Sequence, residues 1–160
     1  MISEKDLEYL GRCVELAEIA VEKGDAPFGS VLVSESGKIL YEDHNRISGG
    51  DNTQHPEFAI ARWAANNMKP EDRAKATVYT SGEHCPMCAG AHGLVGLGRI
   101  VYASSSEQLV EWREEMGIEA TPVKNLAIQE VIRDAEVDGP APEFADKIKE
   151  LHVRAQNAEN

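Results

Sequence analysis

The sequence predicts a three-layer α/β fold: one mixed sheet of about five strands with helices on both faces. Three observations point there. The chain opens with a long amphipathic helical pattern, continues into two short apolar strands joined by a tight turn, and then alternates helix with strand. The hairpin implies antiparallel pairing, and the alternation implies parallel pairing. At 160 residues one domain spanning the whole chain is expected, able to bury about 68–70% of its unfolded surface. There is no internal repeat and no low-complexity segment.

The first helix starts where Ser3 and Asp6 form a capping-box-like pair, carries Leu7, Leu10, Val14, Ala17 and Val21 at helical spacing, and stops at Gly24. Cys13 falls on its apolar side and reads as a small buried hydrophobe. A loop, Asp25-Ala26-Pro27-Phe28-Gly29, leads into a strand over 30–34, and the turn at Gly37 returns a second strand over 39–42. Residues 45–54 read as a loop. A helix over 56–67 should bury Phe58, Ile60, Ala61 and Ala64. Next come a strand over 76–80, a short helix over 86–95, a strand over 99–103 and a helix from Ser105 or Ser106 to Met116. Residues 118–132 fit strand or helix. Asp138-Gly139-Pro140-Ala141-Pro142 breaks the chain before a last charged helix from Glu143 to Gln156.

Charge narrows the function. With 28 acidic and 16 basic residues the formal net charge is −12, and no Lys/Arg cluster tracks a phosphate backbone. Binding to a polynucleotide draws on neutralised phosphates, so a small, neutral or weakly charged ligand is expected and a nucleic acid polymer is not. No apolar run approaches the ~20 residues of a membrane span, and Met1-Ile2-Ser3-Glu4-Lys5-Asp6 lacks the features of a secretory signal. A cytoplasmic setting follows, in which thiols stay reduced. Of three cysteines, two stand at C-x-x-C spacing, which there reads as metal or redox chemistry.

Two segments carry the chemistry: His55-Pro56-Glu57 and Cys85-Pro86-Met87-Cys88. Proline is favoured at the first helical position and pushes the residue before it out of the α region. His55 and Cys85 therefore become helix caps. In a helix interior His55 and Glu57 would point to different sides, but at a helix start both turn toward the space beyond its end. Cys85 and Cys88 fall at cap and third position, which also meet. Two thiolates and one imidazole make three ligands for a tetrahedral zinc, one per chain, with the fourth position left for water. The helix N-termini favour the thiolate forms. On catalytic zinc the pKa of water falls to about 7, and Glu57 stands beside that position. Two other readings remain open from the residues alone: a redox pair at Cys85 and Cys88, and a structural zinc with His84 or His92 as fourth ligand.

The same residues fill the H-x-E…P-C-x-x-C pattern of zinc nucleobase deaminases. The chain resembles the cytidine-deaminase-like superfamily, particularly its guanine deaminase and tRNA adenosine deaminase branches, through residues 25–33, His44-Asn45-Arg46 and residues 85–91. The likeness covers roughly residues 5–105. It implies the cytidine-deaminase-like fold, with His55, Cys85 and Cys88 on zinc and Glu57 moving protons from water to a ring nitrogen and then to the leaving amine. It implies that Asn45 hydrogen-bonds the ring edge, that Phe28 lines the base pocket, and that the protein is a homodimer. Two positions depart from the family. Pro56 offers no backbone N–H to a substrate where relatives carry a small residue, and His84 replaces a proline, as a supporting group, a pocket-lining residue or simply an exposed one.

The acidic balance and the lack of a basic C-terminal tail turn the resemblance toward the guanine deaminase branch. There a C-terminal segment covers an active site, and residues 140–158, with Glu143 and Phe144, are candidates for that part. The substrate expected is guanine, a related purine, a nucleoside or an aminotriazine. A cytosine-type deaminase is the alternative within the class, and a non-catalytic zinc-stabilised interaction module the alternative outside it.

Overall fold

In the computed structural model, which describes residues 1–159, helix α1 (Glu4–Glu22) is followed by strands β1 (Gly29–Val33) and β2 (Ile39–His44), then helices α2 (Pro56–Asn67) and α3 (Pro70–Lys75). Strand β3 (Thr77–Gly82), helix α4 (Pro86–Val95), strand β4 (Ile100–Ser104), helices α5 (Ser106–Glu115) and α6 (Ile128–Val131), strand β5 (Val137–Asp138) and helix α7 (Ala145–Glu159) complete it. The strands form one five-stranded sheet in the order β2-β1-β3-β4-β5. Strand β1 runs antiparallel to both β2 and β3, whereas β3, β4 and β5 are parallel. The mixed sheet and its hairpin are as the sequence predicts.

Alternation along the strands sorts the side chains onto the two faces of the sheet. Val31, Val33, Tyr79, Val101 and Ala103 face α1, α7 and Trp112 of α5. Leu32 and Val78 face Ile60, Ala61 and Ala64 of α2, with Ala91 and Val95 of α4 packed alongside. Helix α1 begins at a complete capping box between Ser3 and Asp6, and Cys13 on its inner side is fully buried. The helix lies so close to β1 that a Cβ on Gly29 would stand 2.3 Å from the Cys13 carbonyl oxygen, so only glycine fits there.

A polar knot ties β3, the start of β4 and β5 to α1. Arg99 donates to both Asp6 carboxylate oxygens and to Asp138, and the Tyr79 hydroxyl donates to Asp6 at 2.6 Å. Burial opposes ionisation of Asp6, but the bonds from Arg99, Ser3 and Tyr79 overcome it and hold the carboxyl well below its usual range.

Several expectations need correcting. Of the two readings open for 118–132, helix holds only over the four-residue α6 and the rest is irregular; the fifth strand is the two-residue β5 at the chain break, too short to show periodicity. Helix α3 was not foreseen, although Pro70 at its first position and Glu71 and Asp72 in its first turn are start signals. The segment read as a loop holds a single 3-10 turn at Ile47–Gly49. Phe58 is only half-buried, and Trp63 of the same helix stacks on Tyr41 with ring centres 5.3 Å apart. Glu143 lies in a 3-10 turn, Pro142–Phe144, ahead of α7. Among the described residues no helix is long and apolar enough to cross a membrane.

Candidate active site

The site lies where β3 ends and α2 and α4 begin. His55 and Cys85 are the N-cap residues of α2 and α4, each in an extended conformation with proline next in line, and neither spends its side chain on capping. Both side chains are thus free to cross the helix ends. Nδ1 of His55 stands 3.6 Å from Sγ of Cys85 and 3.6 Å from Sγ of Cys88. Zinc at about 2.3 Å from sulphur and about 2.0–2.1 Å from nitrogen, in tetrahedral geometry, places such atoms roughly 3.5–3.6 Å apart. The donor set and its spacing therefore fit one zinc ion.

Among the described residues the cluster stops at these three ligands. His84, offered as a fourth, is 1% exposed and sits edge-on to His92 with ring centres 5.4 Å apart. Neither of its ring nitrogens has a hydrogen-bond partner, and burial, with His92 adding to it, pushes its pKa well down. His92 gives its Nε2 to the Gly98 carbonyl at 2.7 Å. A tetrahedral ion here keeps one position open, as a catalytic rather than a structural zinc requires. Without metal, the hydrogen bond from Cys88 and the neighbouring His55 hold the Cys85 thiol down to about 4 despite burial, while Cys88 is pushed far up. The pair shares one proton, which a divalent ion displaces.

Glu57, the second residue of α2 and 6% exposed, extends its carboxylate under the sheet end. Its Oε1 accepts from the Ser30 hydroxyl at 2.8 Å and from the Thr80 hydroxyl at 2.9 Å. Burial raises its pKa, and these two bonds and His55 oppose the rise. The hydroxyls have other outlets: Ser30 reaches Thr80 at 2.9 Å, and Thr80 reaches the Gly82 carbonyl at 2.9 Å. When Glu57 is charged both can donate to it. When it takes a proton, Thr80 can turn to Gly82 and Ser30 to Thr80, so no buried hydroxyl is orphaned in either state. A carboxylate built to gain and lose a proton beside an open metal position is the equipment of hydrolytic proton transfer.

Residues 3–104 match the family model described as the cytidine and deoxycytidylate deaminase zinc-binding region. The chain belongs to this zinc-binding deaminase family. It is 34% identical over 116 residues to a probable cytosine deaminase of Schizosaccharomyces pombe, a match covering 72% of this chain and 70% of that one. It is 35% identical over 104 residues to the tRNA-specific adenosine deaminase of Haemophilus influenzae, covering 64% of this chain and 60% of that protein. The fold is similar to that of a guanine deaminase from Nitrosomonas europaea, with a TM-score of 0.69, 18% identity, and coverage of 98% of this chain and 86% of the other. The protein is accordingly a zinc-type deaminase, a hydrolase of C–N bonds in nucleobases or nucleosides. The alternatives of a redox pair and a non-catalytic module fall away.

The remaining candidates occupy different places in this deaminase. Asn45 is buried, and its Oδ1 accepts from the backbone N–H groups of Ala26 and Ile47, so its amide NH2 is the end left to donate. Its own N–H bonds the Phe28 carbonyl, which knits the two loops together. The Phe28 ring covers Gly82, where a Cβ would come within 3.0 Å of it, and packs edge-on against His152 of α7. Pro56 is buried at the first position of α2. Phe144 packs into the core on the α1 side of the sheet, and Glu143 is exposed beside it. Both lie across the sheet from the cluster within this chain. Sequence reasoning missed Ser30 and Thr80, though each is a hydroxyl interrupting an apolar strand, two residues from an inward-facing neighbour. It also passed over Glu83 and His152.

Proposed function

We propose that the protein hydrolyses the exocyclic amine of a small nucleobase-like ring to a carbonyl with release of ammonia, acting on guanine or a related purine, nucleoside or aminotriazine. The observation that carries the reading is the buried Glu57 carboxylate, held by Ser30 and Thr80 beside a three-ligand cluster with an open position. His55, Cys85 and Cys88 would hold zinc, which would supply the Lewis acidity that lowers the pKa of a water molecule. Glu57 accepts a proton from the attacking water and gives it to a ring nitrogen. It then takes the proton of the new hydroxyl on the ring carbon and delivers it to the amine, so that the carbonyl forms as the C–N bond breaks and ammonia leaves. Asn45 donates from its amide to an acceptor on the ring edge, and Phe28 offers its ring as a wall of the pocket. Pro56 contributes shape only, since it has no N–H.

The net charge of −12 supports a free small molecule over tRNA, whose binding would have to overcome repulsion. Cytosine is the second reading, favoured by the 34% identity to the fission-yeast protein. The reading includes a homodimer, supported by the apolar Leu94 of α4, which is 91% exposed; sedimentation velocity tests it. It also includes a cytoplasmic setting, which keeps the ligand thiols reduced. Ammonia release across guanine, cytosine, adenine, their nucleosides and aminotriazines decides the substrate. Fastest turnover of a purine supports the first reading, and turnover of cytosine alone replaces it with the second.

A further inference from the structure

Glu83 lies in the three-residue exit from β3, between Gly82, whose carbonyl receives the Thr80 hydroxyl, and the ligand Cys85. Its carboxylate makes no contact with the metal cluster. Instead, Oε1 accepts the backbone N–H of Ser106 at 2.9 Å and Oε2 that of Ile128 at 2.9 Å. Ser106 and Ile128 are the first residues of α5 and α6, where N–H groups have no partner within the helix. The Glu83 N–H donates to the Ser104 carbonyl at 2.8 Å. One carboxylate thus closes the base of the excursion from α5 to α6 and pins the segment that aims Cys85.

We propose that Glu83 is a positioning residue for the metal centre, holding Cys85 in ligand geometry through its bonds to the Ser106 and Ile128 N–H groups. Both oxygens are engaged, one on each helix start, so the carboxylate cannot rotate without breaking a hydrogen bond. Pro86 keeps Cys85 in its extended cap conformation, φ −69° and ψ 166°, and the fixed exit sets where that cap stands. The inference rests on the metal centre and not on the identity of the substrate.

The test compares zinc-loaded wild type with Glu83→Ala and Ser106→Pro. The second variant removes the Ser106 donor and sets the proline ring against the Glu83 carboxylate. Proline is favoured at the first helical position, and Ser105 before it already has the extended ψ of 162° that proline demands. Zinc loss to a colorimetric chelator and the visible spectrum of the cobalt(II)-substituted proteins are read together, with far-UV circular dichroism as the folding control. The expected result is zinc loss about tenfold faster in Glu83→Ala, with altered cobalt bands. Ser106→Pro moves both readouts the same way, and adds nothing to Glu83→Ala because the bond it removes is already gone there. If Glu83→Ala fails to fold, Ser106→Pro alone carries the test. Wild-type zinc loss and an unchanged cobalt spectrum in the folded variants overturn the proposal, as do fully additive effects in the double variant. A wild type that binds no zinc contradicts the metal centre itself, which separates that failure from this one.

Discussion

The Ser30 hydroxyl donates to Oε1 of Glu57 at 2.8 Å, joining the first strand of the sheet to the start of α2. Thr80 completes the arrangement from the neighbouring strand. A buried carboxylate would otherwise hold its proton too tightly to act as a base near neutral pH. These two hydroxyls favour the charged form and oppose the rise in pKa that burial causes.

Replacing Ser30 with alanine removes one of the bonds that favour the charged form of Glu57. Hydrogen bonds to charged groups contribute about 1.5–3 kcal/mol, so turnover at neutral pH should fall by roughly one to two orders of magnitude. Burial already raises the pKa of Glu57 and the Ser30 bond lowers it, so its loss raises it further. The acid limb of the pH–rate profile should move to higher pH, with zinc content unchanged. A profile that stays in place would separate Ser30 from the proton transfer.

Zinc removal should leave a reactive thiolate. With its pKa held to about 4 by Cys88 and His55, Cys85 is ionised in the metal-free protein at pH 6, whereas Cys88 keeps its proton. Iodoacetamide at that pH should label Cys85 first after chelation, and neither cysteine before it. Peptide mass mapping checks the order. Cys13, fully buried with its thiol pushed up, should stay unlabelled in both.

His152 should make the fold acid-sensitive. Burial, aided by Arg113, lowers its pKa to about 3 in the folded chain, below the 6.5 of an exposed histidine. A depressed histidine contributes stability that is present above pH 6.5 and lost as pH falls toward 3. From pH 7 to pH 5 the loss is about 2 kcal/mol. His152→Phe, which keeps a ring between Phe28 and Trp112, should flatten that part of the pH dependence in urea unfolding. Equal slopes for the two proteins would place the acid sensitivity elsewhere.

The parts that sequence alone makes readable are those set by local backbone chemistry. His55-Pro56 and Cys85-Pro86 announce two helix starts with side chains left over, and the cap conformation explains why residues two or three apart converge. Ser30 and Thr80 were hidden because their role needs the register of β1 against β3, in which they are direct partners. Strand β5 was hidden because two residues have no period. Glu83 was hidden because its partners lie 23 and 45 positions away, a distance only tertiary structure spans. The position of Phe144 across the sheet from the cluster is likewise decided by how α7 packs on α1.

The central claim is that Glu57 moves the protons of a zinc-dependent deamination, and Glu57→Gln tests it most directly. The amide keeps the size and the hydroxyl contacts but cannot take a proton from water. Measured with the best substrate of the panel, ammonia release should fall by about 10²–10⁴-fold while one zinc per chain is retained. Release at the wild-type rate from a zinc-loaded Glu57→Gln protein would contradict the account.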